Sequence, residues 1–293
     1  MRMIPSTFKN IGKALANLNP NGVRAEAERV VIVGLTSNYA ERLGVMESFL
    51  APPSLTQEKR VEALRHIYRT SVPGAPPLDI EIQDELLPPR QGVFDFRFRM
   101  PPATVDRILR ERPDLGLPLA RLFPAFREEV CREIVRRIAK ENALFSLLTA
   151  LPNVVPSPIE LPWAVGEFAS DTAVLTANQI RMAFLLAAAS DRDVGYVAQK
   201  AELASIVASA FGWRALARQL VGKVPLGGGL IPKAAVAFAG TLVVGKSIIK
   251  LHRFGRGLSR DERQSAYKSA YERGKQVAAA LLESVQKNRQ PAA

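Results

Sequence analysis

The sequence predicts an α+β fold, mostly α, with a small N-terminal α/β region followed by a larger apolar helical bundle. Three observations lead there. Short apolar or alternating runs at residues 29–34, 78–83 and 93–99 read as strands. From about Leu117 the apolar spacing turns helical and stays so. A hydrophobic fraction of 47% with 23% charged residues, over 293 residues, is a globular composition that supplies a sizeable core.

Residues 1–22 predict an amphipathic helix, because Ile4, Phe8, Ile11, Leu15 and Leu18 form one helical stripe with Lys9 and Lys13 off it. Such a helix docks on the body of the protein or lies at a membrane surface. The segment lacks a continuous apolar run of signal-peptide length.

Residues 23–115 form the α/β region. Arg29-Val-Val-Ile-Val-Gly34 reads as a buried strand ending at a glycine turn, and a helix follows from Tyr39 to Leu50. Ser54-Leu-Thr-Gln57 reads as a capping box opening a helix that carries Val61, Leu64, Ile67 and Tyr68. After a proline-rich stretch, Pro73 to Pro77, come strands at 78–83 and 93–99, with an acidic patch of Asp79, Glu81, Asp84 and Glu85.

Residues 116–257 form the apolar helical domain. Phe126, Val130, Ile134, Ile138 and Phe145 mark one face, and Arg132, Arg136, Arg137 and Lys140 the opposite one. The uncharged run from Ala143 to Ile159 is broken by Pro152, Pro156 and Pro158. Helices are predicted at 171–190, 196–211, 213–223 and 231–254. Residues 258–293 hold a last helix and tail. That helix opens with the capping box Ser259-Arg-Asp-Glu262 and carries the stripe Tyr267, Ala270, Tyr271, Gly274, Val277, Ala278, Leu281, Val285.

Residues 224–245 come nearest to a membrane span, with Lys233 their one charge, though Pro225, Pro232 and several glycines interrupt them. Lys246, Lys250, Arg253 and Arg256 follow, a basic flank suited to an anionic cytoplasmic leaflet. A buried helix, a shallow membrane contact and a span all remain open at this point.

The string Gly240-Thr-Leu-Val-Val-Gly245-Lys246-Ser247 matches a Walker A motif letter by letter. A phosphate loop needs a strand before it, backbone freedom within it and a helix after it. Here two β-branched valines occupy the loop, and Phe238, Leu242, Ile248, Ile249 and Leu251 continue a helical pattern through it. The string therefore predicts helix. The strand-turn-helix at Val30 to Leu50 has the right context, but Gly34-Leu-Thr-Ser-Asn-Tyr39 has one glycine, and no lysine occurs between Ala14 and Glu58. A nucleotide cradle of the standard type cannot be built there.

Several polar side chains stand in this apolar setting. Asn178 and Arg181 share a helix face, Gln179 lies beside them, and Glu160, Glu167 and Asp171 are carboxylates nearby in sequence. Buried, such groups must pair. They predict an internal polar network that fixes helix register, or a ligand or headgroup pocket. Trp213 and Arg214 form a further candidate interaction pair, as core or as interfacial anchor.

Pro124-Ala-Phe-Arg127, Glu141-Asn142-Ala143, Leu175-Thr-Ala-Asn-Gln-Ile-Arg-Met182, Phe211-Gly-Trp-Arg-Ala-Leu-Ala-Arg218, Lys223-Val-Pro225 and Ala239-Gly-Thr241 with Gly245 occur in this order. Together they resemble the YcjF-type C-terminal helical domain, a bacterial domain of unknown function that accompanies GTPase-like proteins. The resemblance covers about Phe123 to Phe254 and implies a helical, membrane-associated or membrane-proximal domain without known catalysis. It also implies a preceding P-loop domain. The N-terminal region here lacks the P-loop, which suggests a degenerate version.

The net charge of +12 favours an anionic partner. Basic residues are spread among acids without an aromatic-rich RNA signature, which argues against nucleic acid. With one cysteine, Cys131, no intrachain disulfide forms. With two isolated histidines, His66 and His252, a Cys/His zinc site is excluded. No catalytic constellation and no cofactor are predicted. The expectation is a cytoplasmic, non-catalytic, membrane-proximal interaction protein, peripheral to or embedded in the inner face of the cell membrane. Its partner would be an anionic membrane surface or another protein. A divergent nucleotide-binding switch and a soluble helical scaffold are the alternatives.

Overall fold

The computed structural model describes residues 18–70, 74, 76–150, 171–207 and 229–287. The protein is α+β and mostly helical, with a small parallel sheet in its N-terminal part and a larger helical C-terminal part. It divides into two compact units. The sheet unit comprises Asn21–Arg132 and Ala187–Asp193. The helical unit comprises, among the described residues, 18–20, 133–150, 171–186, 194–207 and 229–287.

The sheet unit opens with α1 (Pro20–Ala27) and β1 (Val33–Thr36), followed by α2 (Ala40–Leu50), α3 (Gln57–Arg65) and β2 (Ile67–Arg69). Next come β3 (Ile80–Asp84), β4 (Val93–Phe96) and α4 (Pro101–Glu111). A 3-10 turn at Pro113–Leu115 leads into α5 (Gly116–Leu122). The four strands are parallel in the order β2-β1-β3-β4, with Val33 opposite both Ile67 and Ile80, and Ile82 opposite Phe94. Val33, Leu35, Ile80 and Ile82 on the central strands β1 and β3 are buried, as a covered parallel sheet requires, and so are Phe94 and Phe96 on the edge strand β4. Helix α2 buries Leu43, Met46 and Leu50, one face at helical spacing. Helix α4 starts on Pro101 and Pro102, where a missing N–H costs nothing, and buries Thr104, Val105 and Ile108.

Three local expectations are corrected. Gly34 does not end its strand but lies inside β1; a side chain there would run into Leu78, which passes over it. The cap of α3 is Thr56, whose hydroxyl accepts from Lys59 N, and not Ser54. Helix α3 stops at Arg65, and Ile67 and Tyr68 belong to the edge strand β2. Their apolar side chains fit a helical face equally well, and pairing with β1 decides the matter. The β3–β4 connection, residues 85–92, is shorter than the dozen residues usual for a parallel crossover and holds no helix. Arg90 pins it by donating to Gln83 Oε1 and to Glu81.

The helical unit is built from α6 (Pro124–Leu148), α7 (Asp171–Ala189), α8 (Leu230–Phe254) and α9 (Arg260–Lys287); residues 200–207 are also helical. Helices α6 and α7 contribute residues to both units. The predicted face of α6, from Phe126 to Phe145, is buried throughout, while Arg132 and Arg136 pair with Glu128, Glu129 and Glu133 on the surface. Phe145, Leu148 and Val174 pack with Leu144, Leu175 and Val285.

Helices α8 and α9 form a tight hairpin. Gly255 closes α8 in the left-handed region, φ 72°, which glycine enters without a Cβ penalty. Leu258 N donates to Ser247 Oγ. The Ser259–Glu262 capping box forms in both directions, at 2.7 and 3.2 Å. Gly274 lets α9 approach α8 so closely that an added Cβ would lie 3.0 Å from the Ala235 carbonyl oxygen. Residues 1–17, the core of the predicted N-terminal helix, and the predicted helix at 213–223 lie outside the described residues.

Candidate functional site

Thr241, inside the Walker-like string, is buried in the middle of α8. The string is not a loop. It lies within the unbroken helix α8, and Gly240 through Gly245 are all buried. An added Cβ at Gly245 would lie 2.5 Å from both γ-methyls of Val135, so this glycine serves the approach of α6 to α8. Ser247 Oγ accepts from Leu258 N in the hairpin turn.

Around Thr241 three helices exchange hydrogen bonds. Its Oγ1 accepts from Asn142 Nδ2 at 2.8 Å and from Gln179 Nε2 at 3.1 Å. Asn142 Oδ1 accepts from Asn178 Nδ2 at 2.9 Å. Asn178 Nδ2 also reaches Glu141 Oε2 at 3.2 Å, and Asn178 Oδ1 accepts from Arg181. Arg181 completes the chain with a 3.0 Å ion pair to Glu141. Asn142, Asn178 and Thr241 are fully buried, whereas Arg181 and Glu141 are 29% and 22% exposed at their side chains. The network therefore runs from the middle of α8 to a charged pair nearer the surface. Gln179 Oε1 is buried and has no hydrogen-bond partner among the described residues.

Of the residues singled out from sequence, Asn178, Gln179 and Arg181 meet here. Asp171 is the first residue of α7. Glu160, Glu167, Trp213 and Arg214 lie outside the described residues. The carboxylate that meets Arg181 comes instead from α6. Glu141 and Asn142 stand far from Asn178 in sequence, so helix spacing within α7 could not point to them. Chemically the network can orient amides and a hydroxyl and hold helix register.

The other candidate place, the turn after β1, is occupied by its own side chains. In open parallel sheets, ligands bind beyond the carboxyl ends of strands where the strand order reverses. Here that point lies between β1 and β3. Asp84, ending β3, is buried and receives Arg42 Nε and Nη2 at 2.5 and 2.7 Å, Ser37 Oγ at 2.7 Å and Leu86 N at 3.0 Å. Burial pushes its carboxyl upward, but the hydrogen bonds from Arg42, Leu86 N–H and Ser37 outweigh this and hold it below the ordinary value. Arg42 also lies over the Phe98 ring, 3.7 Å from its centre.

Cys131 is buried, and burial pushes its thiol up to about 11, which makes it a poor nucleophile. Among the described residues, no group of three or more His, Cys, Asp or Glu is placed to hold a metal ion. Comparison of the chain with protein families, with curated proteins and with solved structures finds no match.

Proposed function

We propose that the protein is a non-catalytic, membrane-proximal interaction protein whose helical unit works against an anionic bilayer surface. One observation carries this reading. Helix α8 is a membrane-length apolar helix, Leu230–Phe254, that ends in a basic corner with an exposed aromatic ring. Phe254 is 61% exposed under the Arg253 guanidinium, and Arg256 is exposed one residue past the left-handed Gly255. An aromatic ring flanked by arginines suits the headgroup layer, where the ring is half-dry and the charges meet lipid phosphates.

Among the described residues, two helices, Thr172–Ala189 and Leu230–Phe254, are long and apolar enough to cross a membrane by length and composition. Their windows are 83% and 61% buried within the protein, which favours contact through the α8 corner over lipid-facing spans. The net charge of +12 adds long-range attraction to an anionic surface. The filled crevice at Arg42 and Asp84, and a β1–α2 turn without lysine, support reading the N-terminal region as a degenerate, GTPase-like partner to a YcjF-type domain.

Flotation of the full chain with vesicles tests this. The protein should float with phosphatidylcholine vesicles containing phosphatidylglycerol, should float weakly with neutral vesicles, and should be largely released by about 0.5 M salt, where screening lengths are a few Å. Protein that stays at the bottom of the gradient with both vesicle types sinks the membrane reading and leaves the soluble scaffold.

A further inference from the structure

A cavity of about 190 Å³ opens in the sheet unit near the amino ends of β1 and β2, away from the crevice filled by Arg42 and Asp84. Three arginines line it, Arg29, Arg121 and Arg127, of which Arg29 is engaged with Asp114 outside the cavity. Arg127 donates from Nε to the Ala120 carbonyl at 3.0 Å and from Nη2 to the Arg121 carbonyl at 2.9 Å. The nearest carboxylate oxygen in its ion pair, on Asp191, is 3.9 Å away, beyond hydrogen-bond reach. Arg121 stands 3.6 Å from Glu28 and 4.0 Å from Asp191, again too far for a hydrogen bond. Asp191 is held by Lys59, with which it forms a direct ion pair.

Asp191 is thus shared among three cations, Lys59, Arg121 and Arg127, while Glu28 and Glu62 also line the cavity. Glu28 and Arg121 do not hydrogen-bond, and Glu28 is half exposed. Burial pulls the Arg127 pKa below its ordinary value, against the opposing attraction of Asp191. Arginine stays protonated even so, and its remaining N–H groups need acceptors.

We propose that this cavity binds the phosphate group of a small phosphomonoester, with Arg121 and Arg127 as the recognising forks and Asp191 as a built-in competitor for the same cations. A phosphate brings close to two negative charges and several strong acceptors to guanidiniums whose own carboxylates sit out of reach. The volume admits a phosphate with a small attached group and falls short of the ~300 Å³ at which drug-sized pockets begin. This assignment is independent of the membrane reading, because every residue in it belongs to the sheet unit.

Asp191 supplies the decisive test. Its φ of 55° is a left-handed conformation that asparagine also tolerates, so Asp191→Asn removes the charge without a backbone penalty. The full chain is titrated calorimetrically with inorganic phosphate and with glycerol phosphate, and separately with phosphatidylcholine vesicles containing phosphatidic acid. Saturable binding is expected, tightened roughly tenfold by Asp191→Asn and weakened roughly tenfold by Arg121→Gln, the order for one charge a few Å away in a partly solvated site. Arg121→Gln is preferred to Arg127→Gln because it leaves the two capped carbonyls intact. Saturable binding of the soluble phosphates assigns a free ligand. Binding confined to phosphatidic acid vesicles, and lost in Arg121→Gln, assigns a lipid headgroup. The proposal is overturned if neither source binds, or if Asp191→Asn leaves affinity unchanged.

Discussion

Replacing Gly245 by alanine distinguishes a helix-packing glycine from a phosphate-loop glycine. The new methyl would sit 2.5 Å from both Val135 γ-methyls and 3.0 Å from Val135 Cβ. Overpacking of this kind costs about 1–3 kcal/mol, offset by roughly 1 kcal/mol from the better helix propensity of alanine. The single variant should therefore lose about 0–2 kcal/mol. Val135→Ala deletes two methyls from a buried residue and should cost about 2 kcal/mol on its own. Together the changes compensate, because the methyl added on α8 takes the space vacated on α6. The double variant should be more stable than the sum of the singles by about 1–3 kcal/mol. Urea unfolding of the full chain, followed by helical circular dichroism, measures all four corners of the cycle. Additivity within about 0.5 kcal/mol would refute the packing role. In a nucleotide loop there is no reason for Val135→Ala to rescue anything.

Asn178→Ala should cost about 2–4 kcal/mol, since it leaves Asn142 Oδ1 without its donor and removes an acceptor from Arg181. The loss is read by the same unfolding assay, and a change under about 0.5 kcal/mol would mean that water replaces the network freely. The carboxyl of Glu262 is held down at about 2, first by the hydrogen bond from Lys250 and then by the one from Ser259 N–H. A depressed acid stabilises the fold above its ordinary value of 4.5 and loses that contribution as pH falls from there towards about 2. NMR titration of the Glu262 side chain should show this depressed midpoint, and a midpoint near 4.5 would remove the cap from the account.

What the sequence made legible follows from the length of each signal. Helix α8 has apolar residues on nearly every face, and the Ser259–Glu262 box marks the start of α9 within a residue. Short elements behave differently. Strand β2 is three residues long, too short for alternation to register, and it is specified by pairing with β1. Thr56 and Ser54 are equally good caps locally, and only the tertiary position of α3 chooses between them. Helix α4 does carry a local signal, a proline pair at its first turn and Val105 and Ile108 on the face away from Arg107 and Arg110. At the polar network, Asn178, Gln179 and Arg181 stand out as polar residues in an apolar helix. Glu141, Asn142 and Thr241 arrive from other helices, a fact of packing that periodicity does not carry. The same holds for the phosphate cavity, where Lys59, Arg121 and Asp191 are brought together from three distant segments.

The burial of α8 has a consequence for how the helical unit opens. From Ala234 to Gly245 all but one residue is buried, so fraying of a single neighbour cannot expose this stretch. Its amides can exchange with solvent only when the packed helices separate together, and their exchange rate then reports the opening free energy of the unit. Residues that would sit on a mobile, solvent-washed loop in a nucleotide-hydrolysing enzyme should here exchange as slowly as the buried core of the helical unit.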